Sequence, residues 1–102
     1  MKDYSAMSDE DINKLVAGHI SFADKVMVGA GQKDYCNNPA DAWPIIFRER
    51  ITLTPKVTGY EWDAISPVIL NDDIEHLHTD KNPLRAAMIV FLMMKDRESS
   101  HA

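Results

Sequence analysis

Between Leu84 and Met94 the chain carries one polar residue, Arg85, in eleven positions. A helix on a protein surface alternates an apolar stripe with a polar face, so a helix that is apolar all round must be covered on most sides. Asn82 can cap its first turn and Pro83 suits the first helical position, which predicts a buried helix from Asn82 to Lys95. Eleven residues rise about 16 Å, roughly half the hydrocarbon thickness of a bilayer, so the cover is protein and not lipid.

The same logic applies upstream. Ser8 followed by Asp9, Glu10 and Asp11 predicts a helix start, with Ile12, Leu15 and Val16 on one face and a stop at Gly18. From Ile20 to Val28 the pattern is mixed. Val26 and Val28 alternate around Met27, which predicts a short strand ended by Gly29-Ala30-Gly31. Asn38-Pro39 opens the next helix, which tolerates Pro44 in its early turns and runs to about Arg48, with Trp43, Ile46 and Phe47 expected toward the core. Ile51–Thr54 and Tyr60–Ala64 alternate as half-buried strands joined by a hairpin loop over Pro55–Gly59. Val68–Leu70 and Ile74–His78 compete for a third strand, with Asn71-Asp72-Asp73 as the turn between them. The expected fold class is α+β: a small antiparallel sheet, built from a hairpin at about 51–64 plus one or two further strands, packed sandwich-like with three helices, the C-terminal one buried.

Length and charge narrow the function classes. A chain of 102 residues is expected to form one domain over 1–102, and its net charge of −5 argues against general nucleic-acid binding, which needs clustered cations. Arg48 and Arg50 near Lys56 form the best basic patch, interrupted by Glu49. Cys36 is the only cysteine, so no intrachain disulfide can form. The first residues lack the apolar core of a signal peptide and no run is long enough to span a membrane, so a cytoplasmic protein is expected.

Candidate chemistry gathers in a few places. Tyr35, Asn37, Asn38, Asp41 and Trp43 surround a helix N-terminus, where exposed N–H groups and a positive dipole end can receive an anion or a partner's carboxylate; each also has a sufficient structural job as cap, turn or core residue. Asp72, Asp73, Glu75, His76, His78 and Asp80 are dense in metal-ligating atoms. One strand aims only His76 and His78 at a shared face, so no metal is expected and a solvated acidic loop is the simpler account. Gly29-Ala30-Gly31 lacks the third glycine of a dinucleotide loop, so no cofactor is expected, and Cys36, which could pair with His19, His76 or His78 as a nucleophile, is more simply a small packed residue beside the Asn-Asn-Pro turn. Met88, Met93 and Met94 either fill core gaps or make an adaptable interface. Because a chain this small struggles to enclose an all-apolar helix, a homodimer is expected, with Met88, Phe91 or Met94 near the contact.

The stretches Tyr35-Cys36-Asn37-Asn38-Pro39-Ala40-Asp41-Ala42-Trp43-Pro44-Ile45-Ile46 and Asn82-Pro83-Leu84-Arg85-Ala86-Ala87-Met88-Ile89-Val90-Phe91-Leu92 resemble the signature blocks of the NinX family, small proteins of lambdoid phages and prophages. Tyr4 to Ala17 resembles that family's N-terminal helix, whereas Lys56 to Lys81 matches poorly. The resemblance implies a phage or prophage origin and carries no catalytic residue over. More distantly, the layout is similar to phage domains described as α-β-α sandwiches. The function expected is that of a small accessory protein that binds a host or phage protein. Its rivals are a small enzyme and a small-ligand or anion sensor using the Asn37–Trp43 turn.

Overall fold

The computed structural model describes residues 3–67, 69–70 and 73–100, which form four helices and an antiparallel three-stranded sheet with a small hairpin attached. The Ser8 hydroxyl accepts the Asp11 N–H and starts α1, Asp9–Gly18, which buries Ile12 and Val16 as the periodicity predicted, with Leu15 only partly buried and Ala17 enclosed as well. The strand expected around Met27 is instead a helix, α2, Phe22–Gly29. Ser21 caps it by accepting the Asp24 N–H, and its hydroxyl donates back to the Asp24 carboxylate, a local start signal that outweighs three alternating residues. Gly29-Ala30-Gly31 then closes the helix: Gly31 takes φ of 76°, its N–H bonds Val28 O, and the Gln32 N–H bonds Met27 O. That six-to-one and five-to-two pattern satisfies the last carbonyls and accounts for Gly31 without a nucleotide.

Asn38 caps α3, Pro39–Glu49, and Pro44 lies inside it. Both Pro44 and Ala40, whose carbonyl loses its helical partner, are exposed, so water can take the place of the missing N–H. The core side of α3 is Ala42, Ile45 and Ile46. Ile46 was expected there; Trp43 and Phe47 were too, yet they are 60% and 65% exposed. Arg50 ends α3 in the left-handed region at φ 56°, ψ 39°, with Ile51 N–H bonded to Ile46 O. A side chain costs about 1–2 kcal/mol in that conformation, so Arg50→Gly should raise the unfolding free energy by about 1 kcal/mol in urea denaturation. A neutral or destabilising result would mean that the arginine side chain holds more than its backbone strain costs.

β1, Thr52–Pro55, pairs with β2, Trp62–Ile65, in the register Leu53↔Ala64, and Gly59 and Tyr60 turn the intervening loop with positive φ. Neither candidate third strand is used as a whole. β3, Ile69–Leu70, and β4, Asp73–Ile74, form a separate two-stranded hairpin, and β5, Leu77–Asp80, returns to pair with β2. Ser66 and His76 pinch the base of that excursion, exchanging Ser66 N–H to His76 O and His76 N–H to Ser66 Oγ. Val68, Asn71 and Asp72 lie outside the described residues.

α4, Pro83–Ser100, is the axis of the fold. The sheet packs on one side of it, α1 and α3 on another, and α2 lies outside against α1. Ala86 to Leu92 are each no more than 1% exposed within the single chain. The cover that the apolar run demanded therefore comes from the chain's own sheet and helices, one helix more than expected. Met88 and Phe91 are fully enclosed and present no surface, whereas Met93 and Met94 are half-buried at the margin of the core.

Candidate functional site

The turn Tyr35–Trp43 has two sides with different character. On its inner side the starts of α1, α3 and α4 converge, and the chain's own polar groups fill the junction. Asn82 caps α4 by accepting the Leu84 and Arg85 N–H groups, while its amide donates to Cys36 O at 2.6 Å and to Asn37 Oδ1 at 3.1 Å. The Asn37 amide donates to Asp9 and Asp34. Buried Asn13 donates to Asp34 and accepts the Cys36 N–H. Asp41 accepts the Asp34 N–H and the Asn38 amide.

Arg85, whose side chain is 13% exposed, ties this junction to the N-terminus. Its guanidinium donates to Asp80 at 3.1 Å, to Asp9 at 2.7 Å, and to the backbone carbonyls of Ser5 at 3.1 Å and Met7 at 2.8 Å. The Tyr4 hydroxyl adds a bond to Asp96 on α4. Burial works against the guanidinium's charge, but Asp9 and Asp80 overcome it and hold its pKa above the ordinary value. One polar side chain in an apolar run is thus the one that must reach out of the core. The positive helix ends that made this turn a candidate anion pocket face Asp9, Asp34 and Asp41 of the chain itself.

Of the candidate residues, Tyr35 is 1% exposed and donates its hydroxyl to Asp24 at 2.5 Å; burial and then this bond raise the phenol's pKa, while the same bond lowers that of Asp24 against the opposing effect of burial. Lys33 Nζ meets the same carboxylate at 3.0 Å. These residues line a cleft of about 180 Å³ between α2 and α3, floored by Ile20, Ala40, Pro44 and Ile45 and edged by Asp41 and Arg48. Asn37 and the histidines are not part of it. Cys36 is fully buried, and burial with the nearby Asp9 pushes its thiol up to about 12, the opposite of a reactive thiolate.

The histidine region is not the solvated loop expected. His78 faces Ala64 across the sheet, on the side that packs against α4. Glu75 reaches α4, 2.7 Å from Arg97 Nε, and Glu75 Oε1 lies 2.8 Å from His76 Nε2 without the alignment of a hydrogen bond. Among the described residues no three His, Cys, Asp or Glu side chains stand close enough to hold a metal ion. Burial depresses the His78 pKa and nearby Arg85 adds to this, while Asp80 opposes it. The unfolded chain therefore takes the proton first as pH falls, and this contribution to stability, complete above the ordinary value of 6.5, is lost as pH drops through the depressed one. Urea midpoints of the parent protein should begin to fall below pH 6.5, well before Asp24 titrates. In His78→Gln that first step should vanish; an unchanged profile would assign the step elsewhere.

The outer side of the turn is open. Trp43 and Phe47 stand one helical turn apart on the exposed side of α3, their ring centroids 6.5 Å apart and tilted by 36°. Sequence reasoning included Trp43 among the candidates but missed Phe47, assigning both to the core. The available signal was the run Ala42–Phe47 in α3, six consecutive apolar residues that exceed one helical turn and so cannot all face the core.

The family model described as "Bacteriophage P22, NinX" matches residues 3–95. No curated protein and no solved structure matches the chain.

Proposed function

The chain belongs to the phage P22 NinX family, and from that premise we propose that it is an accessory protein that works by binding a host or phage protein in the host cytoplasm, through the outward face of α3. The observation that supports this is the exposed Trp43–Phe47 pair. Aromatic side chains bury about 150–250 Å² each and dominate interface energetics, and tryptophan is enriched where binding energy concentrates. Leaving two of them in water costs solubility, which a partner would restore. The turn gives less support to an enzyme or an anion sensor, since its amides, N–H groups and carboxylates already pair with one another. No helix among the described residues is long and apolar enough to cross a membrane.

The test places a photo-cross-linking residue at Ala40, beside the pair, in tagged protein produced in phage-infected cells. A discrete cross-linked partner is expected. It should disappear when Trp43→Ala and Phe47→Ala are combined, in a variant whose circular dichroism and urea midpoint match the parent. A partner that persists undiminished in the double variant would move the binding face away from α3.

A further inference from the structure

The outward side of α3 is apolar along its whole length. Ala40, Trp43, Pro44 and Phe47 are all exposed on the side turned away from Ala42, Ile45 and Ile46, and Pro39 is exposed at the helix start. A water-facing helix side normally carries charges; here the charges are Arg48 at the edge and Arg50 just past the end, both exposed. Arg48 forms an ion pair with its neighbour Glu49, at 3.1 Å, and that largely buried carboxylate is also approached by Lys95 at 3.7 Å. Asp41, the acid nearest the face, is taken by the Asp34 N–H and the Asn38 amide. On a protein of net charge −5 this apolar strip is therefore edged by cations.

Resting on α3 as the binding face, we propose that its occupant is a short amphipathic segment of a partner protein, with bulky apolar residues on one side and Asp or Glu beside them. Charge complementarity selects the acidic flank. Size selects the segment: at 60% and 65% exposure, Trp43 and Phe47 offer about 200–300 Å² together, well below the roughly 800 Å² per partner of a standard globular interface. One helix or extended strand fits within that strip, whereas a second copy of the chain would need contacts beyond it. Single-stranded nucleic acid would share the acidic chemistry and could stack on the aromatics. Two cations release few counterions, however, and the acidic body repels a phosphate backbone.

Fluorescence anisotropy with labelled 16-residue peptides tests this on the full chain. One peptide carries Leu and Phe at helical spacing with Glu between them, a second has Lys for every Glu, and a third is the first with its order scrambled. Saturable micromolar binding of the first is expected, at least tenfold tighter than either of the others. Trp43→Ala with Phe47→Ala should abolish it, and Arg48→Glu should shift preference toward the Lys peptide. Absence of binding by the acidic amphipathic peptide, or equal binding of all three, would overturn the proposal. So would Trp43-dependent binding of labelled oligo-dT, which makes the occupant nucleic acid, or a Trp43-dependent dimer in sedimentation, which makes it a second copy. Peptide failure alongside a Trp43-dependent cross-link would leave α3 as the binding face and reject only the acidic segment, whereas a cross-link indifferent to Trp43 would reject the face itself.

Discussion

Arg85→Ala should lower the unfolding free energy by about 3 kcal/mol in urea denaturation, the largest effect expected of any polar substitution in the chain. Removing the guanidinium strands the Asp9 and Asp80 carboxylates and takes the donor from the carbonyls of Ser5 and Met7. Breaking a buried ion pair by deleting one partner typically costs about 3–5 kcal/mol, and the lower end applies because Asp9 is 40% exposed and water can resolvate it. Arg85→Lys keeps the charge but not the planar fork that reaches several acceptors at once, so it should recover less than half the loss. Because small domains are stable by only about 5–15 kcal/mol, the alanine variant should also show early proteolytic cleavage near the N-terminus, where the turn Tyr4–Ala6 loses one of its two anchors to α4. A loss below about 1 kcal/mol would mean that the junction is held by the three helix caps and not by the guanidinium.

Asn82→Ala should cost about 2–3 kcal/mol, whereas Asn38→Ala should cost about 1 kcal/mol. From sequence the two positions look equivalent, each an asparagine before a helical proline. In the structure Asn38 is a cap whose amide touches one half-buried carboxylate, while Asn82 caps α4 and also donates to the Cys36 carbonyl and to Asn37, joining two segments that are far apart in the chain. Losing that amide leaves the Cys36 carbonyl without its donor, beside a side chain that is completely buried. Asn82→Asp separates the contributions: the carboxylate can still cap, but it cannot donate, so a loss well above that of a neutral change is expected. Equal costs for the two alanine variants would reduce Asn82 to an ordinary cap.

The resemblance of two stretches to a phage family thus acquires a physical content. Tyr35–Ile46 and Asn82–Leu92 are the two sides of one polar junction, and within them Asn37, Asn38, Asp41, Asn82 and Arg85 supply hydrogen bonds that hold three helix starts together. These bonds build the fold without stating its activity. The open chemistry sits beside the motif, on the side of α3 turned away from it.

Signals that act within a few residues were legible in the sequence by itself. Ser8 with its three following acids, Asn38-Pro39 and Asn82-Pro83 determined where α1, α3 and α4 begin, because a cap binds N–H groups two or three positions away wherever the helix finally packs. Strand alternation placed the hairpin, and the apolar run placed α4 in the interior. The start of α2 was equally local, in Ser21 and Asp24, and was passed over for a three-residue alternation. What only the tertiary structure decided is which side of an all-apolar helix meets water. Periodicity cannot rank the sides of the runs Ala42–Phe47 in α3 and Ala86–Met94 in α4, since each is apolar for more than one full turn. Closure of the sheet, α1 and α3 around α4 encloses Met88 and Phe91, while α3, on the outside of that closure, is covered on one side and left with Trp43 and Phe47 in solvent. Likewise the burial of His78 follows from the return of β5 beside β2, a pairing between residues 12 to 18 positions apart that no local pattern specifies.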